Sequence, residues 1–270
     1  MELIKGRSLP QTWLKAAEHL AGIKKHEDFD VFLGISDPVA LSTEDAAVIK
    51  LVDRFLVSHG GYPVNTVAET IFPLDDYIHG GANGVYKDYP PKIAAIHKAR
   101  PKEAKWGCYA LRILRQVDQQ GVTFNPLEKV VEKIKKHGKY RAANELGLGL
   151  PLAEDIPIYD PALDRNQYFG GMPCLSHVSI KVHDGLVRLN ATYRSHYYVQ
   201  RLLGNLIGLG RLQYFIARET GLKVGQLTIN STFAHLDAGS HNGRDCKWGI
   251  NDVKRLIAEC NSVYNVSAAA

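Results

Sequence analysis

The stretch Pro173-Cys174-Leu175-Ser176-His177-Val178-Ser179-Ile180-Lys181-Val182-His183-Asp184-Gly185-Leu186-Val187-Arg188-Leu189-Asn190-Ala191-Thr192-Tyr193-Arg194-Ser195 carries the clearest structural signal in the chain. Val178, Ile180 and Val182 alternate with Ser179 and Lys181, Asp184-Gly185 turns the chain, and Val187, Leu189 and Ala191 alternate again. Two runs of period two around Asp-Gly predict a β-hairpin, because both turn positions need positive φ. Further on, Tyr198 to Thr220 is apolar on most sides and is closed by Gly221, which predicts one long helix buried in the domain centre. Leu227, Ile229, Ser231 and Phe233 alternate as a third strand ending at His235. Strands and long helices intermixed in this way predict an α/β or α+β domain on a mixed sheet flanked by helices.

Working outward, Ser8 caps an amphipathic helix over Leu9 to Ala21, with Leu9, Trp13, Ala17 and Leu20 at helical spacing. A second helix runs from a Ser42 or Thr43 cap to Ser58, with Val48, Leu51, Val52 and Phe55 as its stripe and Gly60-Gly61 at its end. Further helices are expected from Val64 to Phe72 and across Trp106 to Gln120. Asp75 to Pro91, rich in Gly, Asp, Tyr and Pro, reads as a surface loop, and Leu146 to Pro173 as irregular chain. No repeat or low-complexity segment divides the sequence, so residues 1–270 are read as a single domain.

Composition narrows the function. With 45% hydrophobic residues in a chain of 270, a sizeable core is possible and bulk disorder is excluded. The net charge of +5 is spread out rather than massed, which suits an anionic ligand as readily as a nucleic acid. No aromatic-basic motif accompanies it, so nucleic acid is not the expected partner. Val199 to Ile216 is interrupted by Gln200, Arg201, Asn205 and Arg211, and the amino terminus lacks a signal-peptide core, so a soluble cytoplasmic protein without membrane contact is expected. The cysteines Cys108, Cys174, Cys246 and Cys260 form no C-x-x-C pair, so neither a disulfide framework nor a metal site is expected.

Pro173-Cys174, the Asp184-Gly185 hairpin, Tyr193-Arg194-Ser195, Asn205, Leu222-Lys223-Val224-Gly225 and His235-Leu236 follow one another at fixed spacing. The pattern resembles the thymidylate synthase and pyrimidine nucleotide hydroxymethylase family, without insertion or deletion from Cys174 to Asp237. The resemblance implies a thymidylate synthase-like fold, a pyrimidine nucleoside monophosphate as substrate, a homodimer with shared active sites, and 5,10-methylenetetrahydrofolate as one-carbon donor. It assigns Cys174 as the nucleophile and Glu69, within Asn65 to Phe72, as the acid that acts through water on O4. Arg194 and Ser195 would bind the 5′-phosphate, Arg194 also facing the sulfur. Asn205 would read N3 and O4 of uracil, and His235 and Asp237 would lie near the sugar. Arg141, in Lys139-Tyr140-Arg141, resembles the arginines that reach the phosphate of the other subunit. Trp106 and Tyr197 fall on the cofactor side. The apolar alternation of the hairpin offers a sheet face for the dimer.

The chemistry asks for these residue types independently. Substitution at the unreactive C5 of a pyrimidine becomes possible when a thiolate adds to C6, since C5 then behaves as an enolate carbon and the thiolate can later be expelled. Nearby positive charge lowers the thiol pKa, and a guanidinium can supply it. Each residue also has a bland reading. Cys174 could be an ordinary buried thiol, Arg194 a solvated strand-end charge, and Asn205 a core amide. Glu69 could lie on a helix surface, His235 simply end a strand, and Arg141 sit in a solvated basic loop.

Departures from the pattern fall mostly on the folate side. Leu175 replaces the histidine after the nucleophile, and Tyr193 a glutamine; Tyr197 replaces the aspartate that holds the pterin, Leu203-Gly204 a Pro-Phe pair, and Asp237 a tyrosine. Trp106 replaces a tyrosine and so removes a hydroxyl, and an apolar closing segment is missing after Asp237. A more open site favours hydroxymethylation over reductive methylation, which needs water excluded. The competing reading is a catalytically altered nucleotide-binding or scaffold protein on the same fold.

Overall fold

A computed structural model describes residues 1–99, 107–118, 120–137, 153–159, 164, 173–241, 244–245 and 247–269. In chain order the elements are β1 (Glu2–Gly6), α1 (Leu9–Gly22), β2 (Glu27–Ile35), α2 (Thr43–Ser58), α3 (Val64–Glu69), α4 (Leu74–Asn83), α5 (Tyr89–Ala99) and α6 (Tyr109–Leu114). They continue with β3 (Gln116–Val117), β4 (Thr123–Phe124), α7 (Pro126–His137), β5 (Ala153–Pro157), β6 (Leu175–His183), β7 (Leu186–Tyr193) and β8 (His196–Tyr197). The last are α8 (Leu203–Thr220), β9 (Lys223–His235), β10 (Ser240–His241), β11 (Arg244–Asp245) and α9 (Ile250–Ala269), with π-helical segments at Gly84–Asp88 and Tyr198–Leu202.

The sequence reading draws no boundary inside 1–270, whereas the structure groups into two compact units. One comprises Met1–Ala68, Tyr193–Gly210 and Gln226–Ala270, the other Glu69–Thr192 and Arg211–Gly225. In the first unit β1 pairs parallel with β2, β2 antiparallel with β9, and β8 parallel with β9, which is a mixed sheet. Helix α1 starts where Ser8 Oγ accepts from Gln11 N, and Pro10 sits in its first turn, where no backbone donor is needed. Helix α2 starts on a capping box: Ser42 Oγ accepts from Asp45 N while the Asp45 carboxylate accepts from Ser42 N. Helix α1 buries Leu9, Trp13, Ala17 and Leu20 and α2 buries Val48, Val52 and Leu56, while Leu51 and Phe55 are half-buried; Trp13 is fully enclosed with its indole N–H donating to Tyr198 O at 2.9 Å. At Gly204 a Cβ would come within 2.5 Å of the Val67 side chain and 2.8 Å of Val64 O, so the start of α8 lies directly on α3. That close approach explains a glycine at this place.

In the second unit the hairpin forms as read. Asp184 and Gly185 both have positive φ, 52° and 72°, and Ala153–Pro157 pairs antiparallel with β6. Helix α8 ends on Gly221 at φ 70°, where Leu222 N closes onto Ala217 O. Fully buried Gln213 donates to both Val187 O and Gly225 O, tying α8 to the backbone of β7 and β9 within this unit. Phe215 packs with Phe72, Tyr77 and Tyr86 at centroid distances of 5.2, 5.0 and 5.6 Å.

Four expectations are corrected. Asp75 to Pro91 is helical rather than a loop. Asp75 and Asp76 occupy the first turn of α4, where they favour the helix dipole, Gly81 kinks it at φ 59°, and Pro90 and Pro91 open α5. Its turn-forming residues thus act as starts and kinks. The helix expected across Trp106 to Gln120 is only Tyr109–Leu114, because Arg115 is extended and a short β3–β4 hairpin follows around Gly121. Within Leu146 to Pro173, Ala153–Pro157 is a strand. Finally, Val178, Ile180, Val182, Val187, Leu189 and Ala191 are each at most 5% exposed within the chain itself. The apolar hairpin face is this protein's own core and offers nothing to a dimer; Lys181, His183 and Arg188 occupy the exposed alternate positions.

Candidate functional site

The predicted residues divide between the two units. Cys174 and Glu69 belong to the second; Arg194, Ser195, Tyr197, Asn205, His235 and Asp237 belong to the first. Trp106, Arg141 with its neighbours Lys139 and Tyr140, and Cys246 lie outside the described residues.

Cys174 stands immediately before β6 and is half-buried, whereas Cys108 and Cys260 are buried. Its backbone N–H donates to the Tyr109 hydroxyl oxygen at 3.2 Å, and the N–H of Leu175 reaches the same oxygen at 3.5 Å. The turn that presents the thiol is therefore anchored at its main chain by a phenol from the first turn of α6. Burial pushes the Cys108 thiol above its ordinary pKa, against a hydrogen bond with Tyr89 at 3.4 Å that lowers it. Burial likewise pushes Cys260 up to about 12. Neither is suited to act as a thiolate near neutrality. Glu69 ends α3 in an ion pair with Arg211 Nη1 at 3.0 Å. Burial raises its pKa, Arg211 opposes the rise and Asp75 adds to it. Such a carboxyl is poised to exchange a proton closer to neutrality than an exposed one.

In the first unit Arg194 is exposed, while its carbonyl accepts from Thr232 Oγ1 at 3.1 Å. Ser195 Oγ lies 3.4 Å from Nε2 of the buried His235, and the Tyr197 ring meets His235 edge-on at 4.0 Å. Arginine, serine and histidine are side-chain types that can bind an anion. Asn205 is 4% exposed and its Nδ2 lies 2.9 Å from His196 Nε2. Asp237, fully buried and at φ 37°, accepts from Val199 N at 2.8 Å and Gln200 N at 3.1 Å. It therefore caps the helical segment that carries Asn205. Desolvation raises its pKa to about 8 even though those N–H donors act to lower it.

Sequence reasoning missed four residues with roles in these two regions. Tyr109 and His196 were passed over, although His196 directly follows Arg194-Ser195. Ser231 and Tyr198, which bond each other, carried no motif signal. Among the described residues no group of three or more His, Cys, Asp or Glu could hold a metal ion, and no helix is long and apolar enough to cross a membrane.

No family model matches the chain. Curated archaeal proteins named "Putative thymidylate synthase" do. One from Methanothermobacter marburgensis is 35% identical over 78 residues, 29% of this chain and 34% of that protein. One from Methanococcoides burtonii is 28% identical over 110 residues, covering 41% of this chain and 45% of its own length. One from Methanosarcina acetivorans is 25% identical over 150 residues, 56% of this chain and 60% of that protein. The matches span under two thirds of the length of these relatives. Over these stretches the chain is similar to archaeal proteins named "Putative thymidylate synthase", and its mixed sheet flanked by helices is consistent with a thymidylate synthase-like fold.

Proposed function

We propose that the protein substitutes C5 of a pyrimidine nucleoside monophosphate, of uracil type, through a Cys174 adduct at C6. The observation that carries this reading is the contrast among cysteines: Cys174 is half-buried behind an anchored turn, while Cys108 and Cys260 are buried. The Sγ–C6 bond forms as the C5–C6 π pair moves onto C5, and C5 then bonds to a one-carbon electrophile. Loss of the C5 proton returns the electron pair, which re-forms the double bond and expels the thiolate. Arg194 and Ser195 bind the phosphate, His235 lies near the sugar, Asn205 reads the base, and Glu69 moves a proton at O4. Asp237 supports this set by holding the segment before Asn205. We place hydroxymethylation ahead of methylation, and Arg141 in a homodimer at the partner's phosphate.

The donor implied by the resemblance, 5,10-methylenetetrahydrofolate, does not fit the residue at position 197. A carboxylate is needed for the pterin there, and Tyr197 instead packs its ring on His235.

A binding-only protein has one observation in its favour. The Asn205 amide nitrogen and the Asp237 carboxylate are both engaged inside the chain. Incubation with uridine and cytidine monophosphates, ribo and deoxy, tritiated at C5, separates the two. Release of label by the wild type but not by Cys174→Ala supports catalysis. Binding without release from any nucleotide supports the binding protein.

A further inference from the structure

Four polar side chains of the first unit form one chain of hydrogen bonds. Asn205 Nδ2 lies 2.9 Å from His196 Nε2, His196 Nδ1 lies 3.0 Å from Ser231 Oγ, and the Tyr198 hydroxyl donates to that same Oγ at 3.2 Å. None is more than 4% exposed. The His196 ring is fixed in its plane as well, stacked on Tyr193 at 3.8 Å with an 8° tilt and met edge-on by Tyr198 at 5.5 Å.

Enclosure settles the charge of this histidine. Burial, with a smaller contribution from His235, pulls its pKa down to about 3, so the ring is neutral at any working pH. A neutral imidazole has one donor and one acceptor nitrogen, and an amide nitrogen can only donate. Nε2 therefore accepts from Asn205, and the ring proton sits on Nδ1 and donates to Ser231. Turning the amide over would demand the other tautomer, with the ring proton on Nε2 and the Ser231 hydroxyl donating to Nδ1.

An amide cannot by itself tell uracil from cytosine. Uracil presents an acceptor at O4 and a donor at N3, cytosine a donor at N4 and an acceptor at N3, and half a turn of the amide exchanges one complement for the other. Something must hold it. We propose that His196 is the positioning residue that sets base specificity, by fixing the Asn205 amide with its N–H₂ toward the imidazole. This rests on the reading of Asn205 as the group that contacts the base.

The test compares dissociation constants for uridine and cytidine monophosphates in wild type, His196→Leu, His196→Gln, Ser231→Ala and Asn205→Asp, with ribose 5-phosphate as a probe that lacks the base. The cytidine-to-uridine ratio is expected to fall at least threefold in His196→Leu. His196→Gln, which can place an acceptor oxygen near the position of Nε2, should recover part of it. Ribose 5-phosphate affinity should stay constant throughout. Ser231→Ala frees the tautomer and should also lower the ratio, which keeps the test open if His196→Leu does not fold. Nitrogen-15 spectra of the wild type should show the proton on Nδ1; a proton on Nε2 overturns the proposal. An unchanged ratio in folded His196→Leu, or in Ser231→Ala in its stead, also overturns it, while a shift in Asn205→Asp then leaves the base reading standing. If Asn205→Asp leaves the ratio unchanged, or the wild type binds both bases alike, the base reading fails and the proposal with it.

Discussion

The two regions that carry the candidate residues are built in opposite ways. From Arg194 to Asp237 the reading groups are committed to internal partners: Asn205 to His196, His196 to Ser231, and Asp237 to two backbone N–H groups. At Cys174 the backbone N–H is anchored on the Tyr109 hydroxyl, and the residue is half-buried. Under the proposed function, the difference follows from what each region would have to do. A group that discriminates between ligands loses selectivity if it can rotate, so its neighbours hold it. A nucleophile loses rate if it is covered, so its support comes from behind.

The largest effect tests the open region. A 5-fluoropyrimidine monophosphate supplied with the true one-carbon donor should add to the wild type and give an intact-mass increase, because fluorine cannot leave as a proton does. Cys174→Ala should show none. An adduct on Cys108 or Cys260, both buried with raised pKa, would overturn the contrast between covered and accessible thiols.

Next, Asn205→Asp tests the committed region. A mispaired buried polar group costs roughly 1–3 kcal/mol, so relative affinity should move by about tenfold or more from uracil toward cytosine. Alkylation of Cys174 by iodoacetamide should not change. Equal weakening of all nucleotides would show that Asn205 does not read the base.

A smaller loss is expected from Tyr109→Phe, which removes the acceptor of two backbone N–H groups and no apolar volume. With each such bond worth about 0.5–1.5 kcal/mol, adduct formation at Cys174 should slow by roughly tenfold while nucleotide affinity holds. A fall in affinity without a fall in adduct rate would place Tyr109 outside the nucleophile's support.

The smallest effect concerns Asp237. Its folded pKa is raised above that of an unfolded aspartate by desolvation. The stability contributed by its protonated form is complete below the unfolded pKa and is lost as pH rises through about 8. Chemical denaturation of Asp237→Asn should therefore show a flatter dependence on pH between about 4 and 8 than the wild type. An unchanged slope would mean that the two N–H donors outweigh burial and keep the carboxylate ionised.

Sequence alone determined the local architecture wherever one residue type answers one local demand. Ser8 and Ser42 cap helices, Asp184-Gly185 makes a two-residue turn, and Gly221 ends α8, because each depends only on backbone geometry a few residues away. The period-two hairpin and the apolar helix were legible for the same reason. Also legible was a resemblance to the thymidylate synthase family, and archaeal proteins named "Putative thymidylate synthase" are similar to parts of the chain. Tertiary structure alone decided the rest. The helices within Asp75 to Pro91 depend on kinks and first-turn prolines that in sequence look like loop signals. Which face of the hairpin is core depends on what covers it, since alternation names two faces and does not say which neighbour each meets. The partners of the polar residues were out of reach as well. Tyr109 meets Cys174 across 65 positions and Asp237 meets Val199 across 38. A hydrogen bond depends on distance in space, and one sequence without its fold holds no record of that distance.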